Sequence, residues 1–307
     1  MNPVSYYRRV GADNLNNVKH TQSGSIEFLH ITAGSGSVLA GSAIFPMIQG
    51  AVYVIDCCEP HCTCPEQPNE YRRSNFCMDK SDFYGFLKSA CADDIYSTLK
   101  QKHAMCVPLS KEASEAADKC FEKLHRDLEE HTQLTVYGFF ALLELSLILK
   151  DSHSPEENTD MGIAGKAVEF IGENLCEDVS ASAVSKALHV SKYHLCHTFH
   201  EKTGMTLSEY VLEKRLSKAE SMLRKGVRPV GEIALELGFS SVSYFCSVFN
   251  KKYGMSPLAY RKSAASEADF DKKRKIEENN ENNKILINFV AAATENKNIK
   301  EYNLIQI

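Results

Sequence analysis

The chain has 307 residues, 43% of them hydrophobic, with eleven cysteines and a formal net charge of −5. That length predicts two domains rather than one. No run approaches the roughly 18 apolar residues a membrane-spanning helix needs, and the start MNPVSYYRRV lacks an apolar signal core. These absences predict a cytoplasmic protein without a membrane partner, whose cysteines are mostly reduced thiols rather than a disulfide framework.

In chain order, the first hundred residues read as short β-segments. Ile26–Thr32, Ser42–Ile48, Ala51–Asp56 and Glu70–Met78 are rich in Val, Ile, Phe and Tyr and are punctuated by Gly34, Gly36, Gly41 and Gly50, which predicts a small barrel or sandwich. Periodicity changes after Asp79. Ser110 caps a predicted helix to about His131, with Ala113, Ala117, Cys120, Phe121, Leu124 and Leu128 on one side. A second helix, Thr135–Lys150, is apolar on most faces and must be buried, in its own domain or against a partner chain. Residues 151–161 open with the polar, Pro155-containing stretch DSHSPEENTD and read as a linker. Residues 264–307 are charged and Asn-rich, the composition of a disordered tail, and their KKRK run at 272–275 reads as a solvated charge run, or else as a basic localisation or DNA-touching patch.

Between 180 and 262 one pattern is written twice. Leu195-x3-Phe199-x4-Gly204-Met205 recurs fifty positions on as Phe245-x3-Phe249-x4-Gly254-Met255, and Cys196/Cys246, Lys202/Lys252 and Tyr210/Tyr260 share that offset. Each copy reads as a helix-turn-helix. In the second, Val230, Ile233, Ala234 and Leu237 face inward, Gly238 allows the left-handed turn, Phe239 plugs the gap and Ser241 caps the next helix. In the first, Ser180 and Ser191 are the caps, Val184, Leu188, Leu195 and Phe199 are inside, and His189 stands where the second copy has glycine. The copies differ by 49 before the turn, so one residue is added in the second turn region. Thr206-x2-Glu209 is a capping box opening a connecting helix. Such a helix fixes the separation of two recognition helices, which would enter major-groove segments about 34 Å apart.

Buried positions explain a helical bundle; a DNA-reading role rests on the exposed ones. These are Lys192, Tyr193, His194 and His197 in the first recognition helix, and Val242, Ser243, Ser247, Asn250 and Lys251 after the Ser241 cap in the second. Charge agrees: residues 161–263 carry 14 Lys+Arg against 10 Asp+Glu, a net of +4, whereas residues 1–160 carry 14 against 22, a net of −8.

The stretch GFSSVSYFCSVFNKKYGMSPLAYRK resembles the C-terminal signature of the AraC/XylS family of bacterial transcription regulators, over about residues 162–262. The resemblance implies a seven-helix domain with two helix-turn-helix motifs on asymmetric promoter sites in double-stranded DNA. It places Tyr193, Cys196 and His197 at base-facing positions of the first recognition helix, and Val242, Ser243 and Ser247 at those of the second. With Val and Ser there, base discrimination would lean on methyl contacts and DNA shape. The resemblance further implies an α+β protein. Residues 1–150 would form an effector-binding and dimerisation domain, with a cupin-like β-barrel to about 108 and the helix pair 110–150 as the homodimer contact. Residues 162–263 would bind DNA. GAVYVIDCCEPHC is similar to a cupin passage ending in a proline turn and a histidine, here Pro60 and His61.

The function implied is a transcriptional activator working with RNA polymerase and responding to an unidentified small-molecule effector. Cys57-Cys58-x2-His61-Cys62-x-Cys64 carries metal-like chemistry, with Cys58, His61, Cys62 and Cys64 as candidate zinc or copper(I) ligands. Cys57 and Cys58 would point to opposite faces of a strand, and the spacing matches neither a zinc ribbon nor a finger, so incidental cysteines and redox sensing stay open beside metal. No resident cofactor and no catalytic residue is expected. Nothing resembles a nucleophile elbow, a phosphate loop or a zinc-hydrolase helix. The rival of another class is a cupin-type metal enzyme fused to a DNA-binding domain. It would need a His and carboxylate cluster, and residues 40–80 contain only His61.

Overall fold

The structure, a computed structural model, describes residues 3–10, 24–89, 97, 103–131, 134–152, 162–226 and 228–266. The 153–161 part of the expected linker and the tail from 267, with its KKRK run, lie outside the described residues.

The strands are β1 (Pro3–Val10), β2 (Ser25–Ala33), β3 (Gly36–Ala40), β4 (Ala43–Pro46), β5 (Val52–Asp56), β6 (Cys62–Pro65), β7 (Arg72–Asp79) and β8 (Ala104–Val107). The helices are α1 (Lys80–Ser89), α2 (Lys111–Glu130), α3 (Val136–Ser152), α4 (Gly162–Glu173), α5 (Ala181–Ala187), α6 (Lys192–Thr203), α7 (Leu207–Arg224), α8 (Val230–Glu236) and α9 (Val242–Tyr253). Residues 257–266 are also helical. The structure adds β1, β3, β6, β8 and α1 to the elements the sequence predicts.

The chain forms two compact units. One comprises residues 1–219 with 235–238, the other 220–234 with 239–307. In the first, an antiparallel five-stranded sheet runs β1-β7-β2-β5-β8 and a three-stranded sheet β4-β3-β6. The expected cupin-like barrel is thereby corrected: each sheet keeps two edge strands, and no hydrogen-bonded closure joins them among the described residues. The alternation of strand side chains assigns the faces. Ile26, Phe28, Val54, Phe76 and Met105 of the larger sheet pack under α2 and α3 with Phe121, Leu124, Leu142 and Leu145. Leu29, Ile31, Tyr53 and Ile55 on its other face meet Val38, Ala40 and Phe45 of the smaller sheet.

Both faces of the smaller sheet contribute to a core. Leu39 and Ile44 turn away from that core into a third one, shared with Ala164, Val168 and Ile171 of α4, Leu195 and Phe199 of α6, and Tyr210 of α7. Carbonyl groups at the C-terminus of α6, which have no partner within the helix, are met by this sheet. Ser37 Oγ donates to Lys202 O at 2.6 Å and the Cys62 thiol donates to Thr203 O at 3.0 Å. Lys214 of α7 forms a 2.5 Å ion pair with Glu59, and Ser217 Oγ donates to Cys58 O.

The helix pair is partly as the sequence predicts. The Ser110 hydroxyl caps α2 by accepting from Ala113 N at 3.2 Å. Asp127 accepts Thr135 N at 2.7 Å and the Thr135 hydroxyl, which fixes the entry to α3. Gly138 allows the close approach there: a Cβ would lie 2.2 Å from Asp127 Oδ2. One side of α3 is buried against α2 and the sheet, but Val136, Tyr137 and Phe140 are 66%, 81% and 65% exposed.

In the second unit, Phe239, Phe245, Phe249 and Tyr253 stack in succession, with centroids 4.9, 5.5 and 4.4 Å apart. Tyr260 completes the cluster 5.6 Å from Phe249, and its hydroxyl donates to Glu220, which also pairs with Arg224 at 3.0 Å.

Candidate nucleic-acid interface and a buried ligand cluster

The two helix-turn-helix units share the serine caps of their recognition helices and the hydrogen bonds that open their turns. Helices α5 and α8 begin 49 positions apart, and α6 and α9 begin 50 apart, so the extra residue falls in the second turn. The Ser191 hydroxyl accepts from His194 N at 3.2 Å and that of Ser241 from Tyr244 N at 3.1 Å. Gly204 and Gly254 end the recognition helices in the left-handed region, with φ of 62° and 72°. Arg215 of α7 donates to Leu175 O, Glu177 O and Gly238 O, tying three loop carbonyls to one guanidinium.

On α6, Lys192, Tyr193, His194 and His197 are exposed and Cys196 is half-buried. The Tyr193 and His197 rings lie side by side with centroids 6.0 Å apart, so they present one continuous surface. On α9, Val242, Ser243, Ser247, Asn250 and Lys251 are exposed. Ser241 is exposed too, but its hydroxyl is engaged as the cap. Tyr244, beside them, is 47% exposed. Leu195, Phe199, Phe245 and Phe249 are fully buried, which orients the polar faces outward.

The cysteine-rich segment divides differently from its sequence reading. Cys62 and Cys64 lie two apart on β6. Cys62 meets Thr203 O, and a Cβ at Gly204 would stand 3.2 Å from Cys64 Sγ, so both thiols face the end of α6. Cys58 Sγ lies 4.0 Å from Lys80 Nζ. The proposed ligand quartet is therefore not assembled, because strand alternation and the turn at 57–61 separate its members. His61 instead meets Cys57 and Glu27, and their ligand atoms lie within 4.8 Å of one another with all three residues buried. His61 Nε2 is 3.4 Å from Glu27 Oε2, while its Nδ1 is hydrogen-bonded to Glu59 O at 2.9 Å. Asn75 Nδ2 donates to Glu27 Oε1 at 2.6 Å.

Burial alone would raise the Glu27 carboxyl, but His61, the Arg73 charge and Asn75 bring it down to about 2. Burial opposes protonation of His61, yet the Glu27 carboxylate raises its affinity for a proton above the ordinary value. The Cys57 thiol is pushed well above its usual range by its hydrogen bond with Cys77 and by burial, and Cys58 is pushed up to about 11, chiefly by burial. Neither vicinal thiol therefore has the thiolate character on which oxidant sensing depends. Sequence reasoning missed Glu27. Its signal is visible only through strand register, in which Glu27 pairs with Ile55 on one side and Cys77 on the other.

Two capped, separately packed recognition helices with polar outer faces define a DNA-binding protein of the double helix-turn-helix class. Residues 184–263 match the family described as a helix-turn-helix domain. The regulatory protein SoxS of Salmonella typhimurium is 34% identical over 94 residues, which cover 31% of this chain and 88% of SoxS. The chain therefore belongs to the AraC/XylS family of bacterial transcriptional regulators. The bifunctional transcriptional activator/DNA repair enzyme AdaA of Bacillus subtilis is 30% identical over 103 residues, covering 34% of this chain; the chain spans about half of that relative, 49% of its length. The C-terminal domain of the two-component response regulator YesN from Fusobacterium nucleatum is 31% identical, covering 31% of this chain and 93% of that domain with a TM-score of 0.30.

Proposed function

We propose that this regulator is a cytoplasmic activator that reads an asymmetric promoter through two different recognition faces and recruits RNA polymerase there. Residues 162–263 are its DNA-binding part, 1–150 its effector-sensing and dimerising part, 151–161 a linker and 264–307 a tail. The observation that carries the reading is that the two recognition helices bury side chains at matching positions but differ in their outer residues. Tyr193, His194 and His197 stand on one, and Val242, Ser243 and Ser247 on the other. Identical faces would suit a direct repeat; different ones suit an asymmetric site.

The homodimer forms through the 110–150 helix pair. The exposed apolar side of α3, with Val136, Tyr137 and Phe140, supports this, since solvated surfaces rarely gather large apolar side chains on one face. A small-molecule effector acts in the N-terminal part, and the contacts of the smaller sheet with α6 and α7 offer a physical route from it to the DNA-binding part.

Footprinting on DNA upstream of its own gene, with and without cell extract, tests the reading. Protection of roughly 20 base pairs per monomer is expected. A footprint half that length means that one recognition helix stays out of the groove.

A further inference from the structure

We propose that Glu27, Cys57 and His61 form a binding site for one divalent zinc-class ion, held by a carboxylate oxygen, a thiolate and the His61 Nε2 nitrogen. Three residues from two parts of the chain, one on β2 and two flanking the turn after β5, bring their ligand atoms within 4.8 Å of one another. Oxygen, nitrogen and sulfur together are the donor set zinc takes, at about 2.0 Å for the first two and about 2.3 Å for sulfur.

The spacing suits an ion as well as an ion pair. A tetrahedron with bonds of about 2.0 Å has edges of about 3.3 Å, and Nε2 and Oε2 stand 3.4 Å apart. A charge-assisted hydrogen bond between them would close to about 2.7–2.9 Å. Each partner is instead held from behind. The Nδ1 contact with Glu59 O aims Nε2 at the carboxylate, and Asn75 fixes the carboxylate's other oxygen. Outer contacts of this kind orient metal ligands.

The charge also balances. A thiolate and a carboxylate offset the ion's two positive charges, with His61 neutral, so binding releases the Cys57 thiol proton and any proton on His61. Arg73 acts on the same carboxylate and opposes the ion, which lowers the affinity without removing a ligand. This set shares only His61 with the quartet suggested by the Cys57–Cys64 spacing.

The site is also placed to matter for DNA. Glu59 and Cys58, between the ligands Cys57 and His61, are the residues that hold Lys214 and Ser217 of α7. Fixing both ends of that turn on an ion changes how firmly α7 is held. This coupling rests on the DNA-binding reading above; the site itself does not.

The full-length chain, purified under reducing conditions and stripped with a chelator, is titrated with cobalt(II) and then with zinc. One equivalent is expected, with a thiolate-to-cobalt charge-transfer band that zinc abolishes. Cys57→Ser loses the band, Glu27→Gln and His61→Ala weaken zinc binding at least about tenfold, and Cys62→Ser and Cys64→Ser change nothing. X-ray absorption on the zinc-loaded natural chain needs no variant to fold, and it must show sulfur together with nitrogen or oxygen neighbours. Fewer than about one ion per ten chains, or a band that survives Cys57→Ser, overturns the site. Promoter affinity with and without zinc reads the coupling separately. Equal affinities overturn the coupling, while the stoichiometry decides the site.

Discussion

His189 and Gly238 occupy the same station in the two helix-turn-helix units and share a left-handed backbone, with φ of 54° and 72°. The hydrogen bonds around them also match. His189 N donates to Lys186 O and Val190 N to Ser185 O, while Gly238 N donates to Leu235 O and Phe239 N to Ala234 O. The histidine therefore holds a conformation that the second copy gives to glycine. An L-residue there costs about 1–2 kcal/mol, against which glycine's extra freedom in the unfolded chain counts for about 0.5–1 kcal/mol. His189→Gly should raise the thermal unfolding midpoint by a few degrees. Gly238→Ala should lower it, since its Cβ would also stand 2.6 Å from Arg215 Nη2. A fall in the midpoint for His189→Gly would mean that the imidazole makes a stabilising contact.

Tyr193 and His197 share one exposed surface on α6. His197→Ala should weaken promoter binding by about 1–3 kcal/mol while leaving binding to random DNA nearly unchanged. Lys192→Ala should weaken both alike and reduce the salt dependence by about one phosphate contact. Competition binding at two salt concentrations separates the two effects. Equal losses on both DNAs for His197→Ala would reduce it to a non-specific role.

The exposed side of α3 makes a prediction about assembly. Tyr137→Glu with Phe140→Glu places two charges on the apolar face without touching the buried Ala141, Leu142 or Leu145. Sedimentation should then report monomer where the natural chain gives dimer. A dimer that survives the pair of substitutions would place the contact elsewhere.

Gly138 sits where α3 passes the Asp127 carboxylate. Gly138→Ala drives a methyl group to within 2.2 Å of an oxygen that is engaged with Thr135, so either that cap or the helix packing must give. The expected loss is about 1–3 kcal/mol in denaturant unfolding, and an unchanged midpoint would show that Asp127 can swing aside at no cost.

Lys214 and Glu59 form a largely buried pair. Lys214→Met leaves a carboxylate without its cation, and Glu59→Gln leaves an ammonium without its anion. Each alone should destabilise the first unit by about 3–5 kcal/mol. The double variant should cost less than the two single losses added together. Additive losses would mean that the two groups do not interact in solution.

How much the sequence discloses depends on where the partners of each residue lie. The repeat at 180–262 is legible because local spacing dictates it: caps, inward apolar positions and the 49-to-50 change of offset all follow from residues within one or two turns of helix. The strands Gly36–Ala40 and Cys62–Pro65 are not legible, because they are short, glycine- or proline-bounded, and stabilised by each other across 29 positions of chain where Gly36 pairs with Pro65. Glu27 reads as an ordinary polar residue in a strand until register sets it beside Cys77 and near Cys57. The exposed face of α3 escapes for the opposite reason: an apolar run announces burial but does not say which side meets the chain's own sheet.

Leu39 and Ile44 have a consequence for how such regulators can be recombined. They supply side chains to a core otherwise built from α4, α6 and α7. A chimera that grafts residues 162–266 onto a foreign sensing module would inherit a vacancy shaped for these two side chains, with the α6 carbonyl groups of Lys202 and Thr203 left without donors. Exchange of this chain's modules would then have to carry the β3–β4 hairpin along as part of the DNA-binding half.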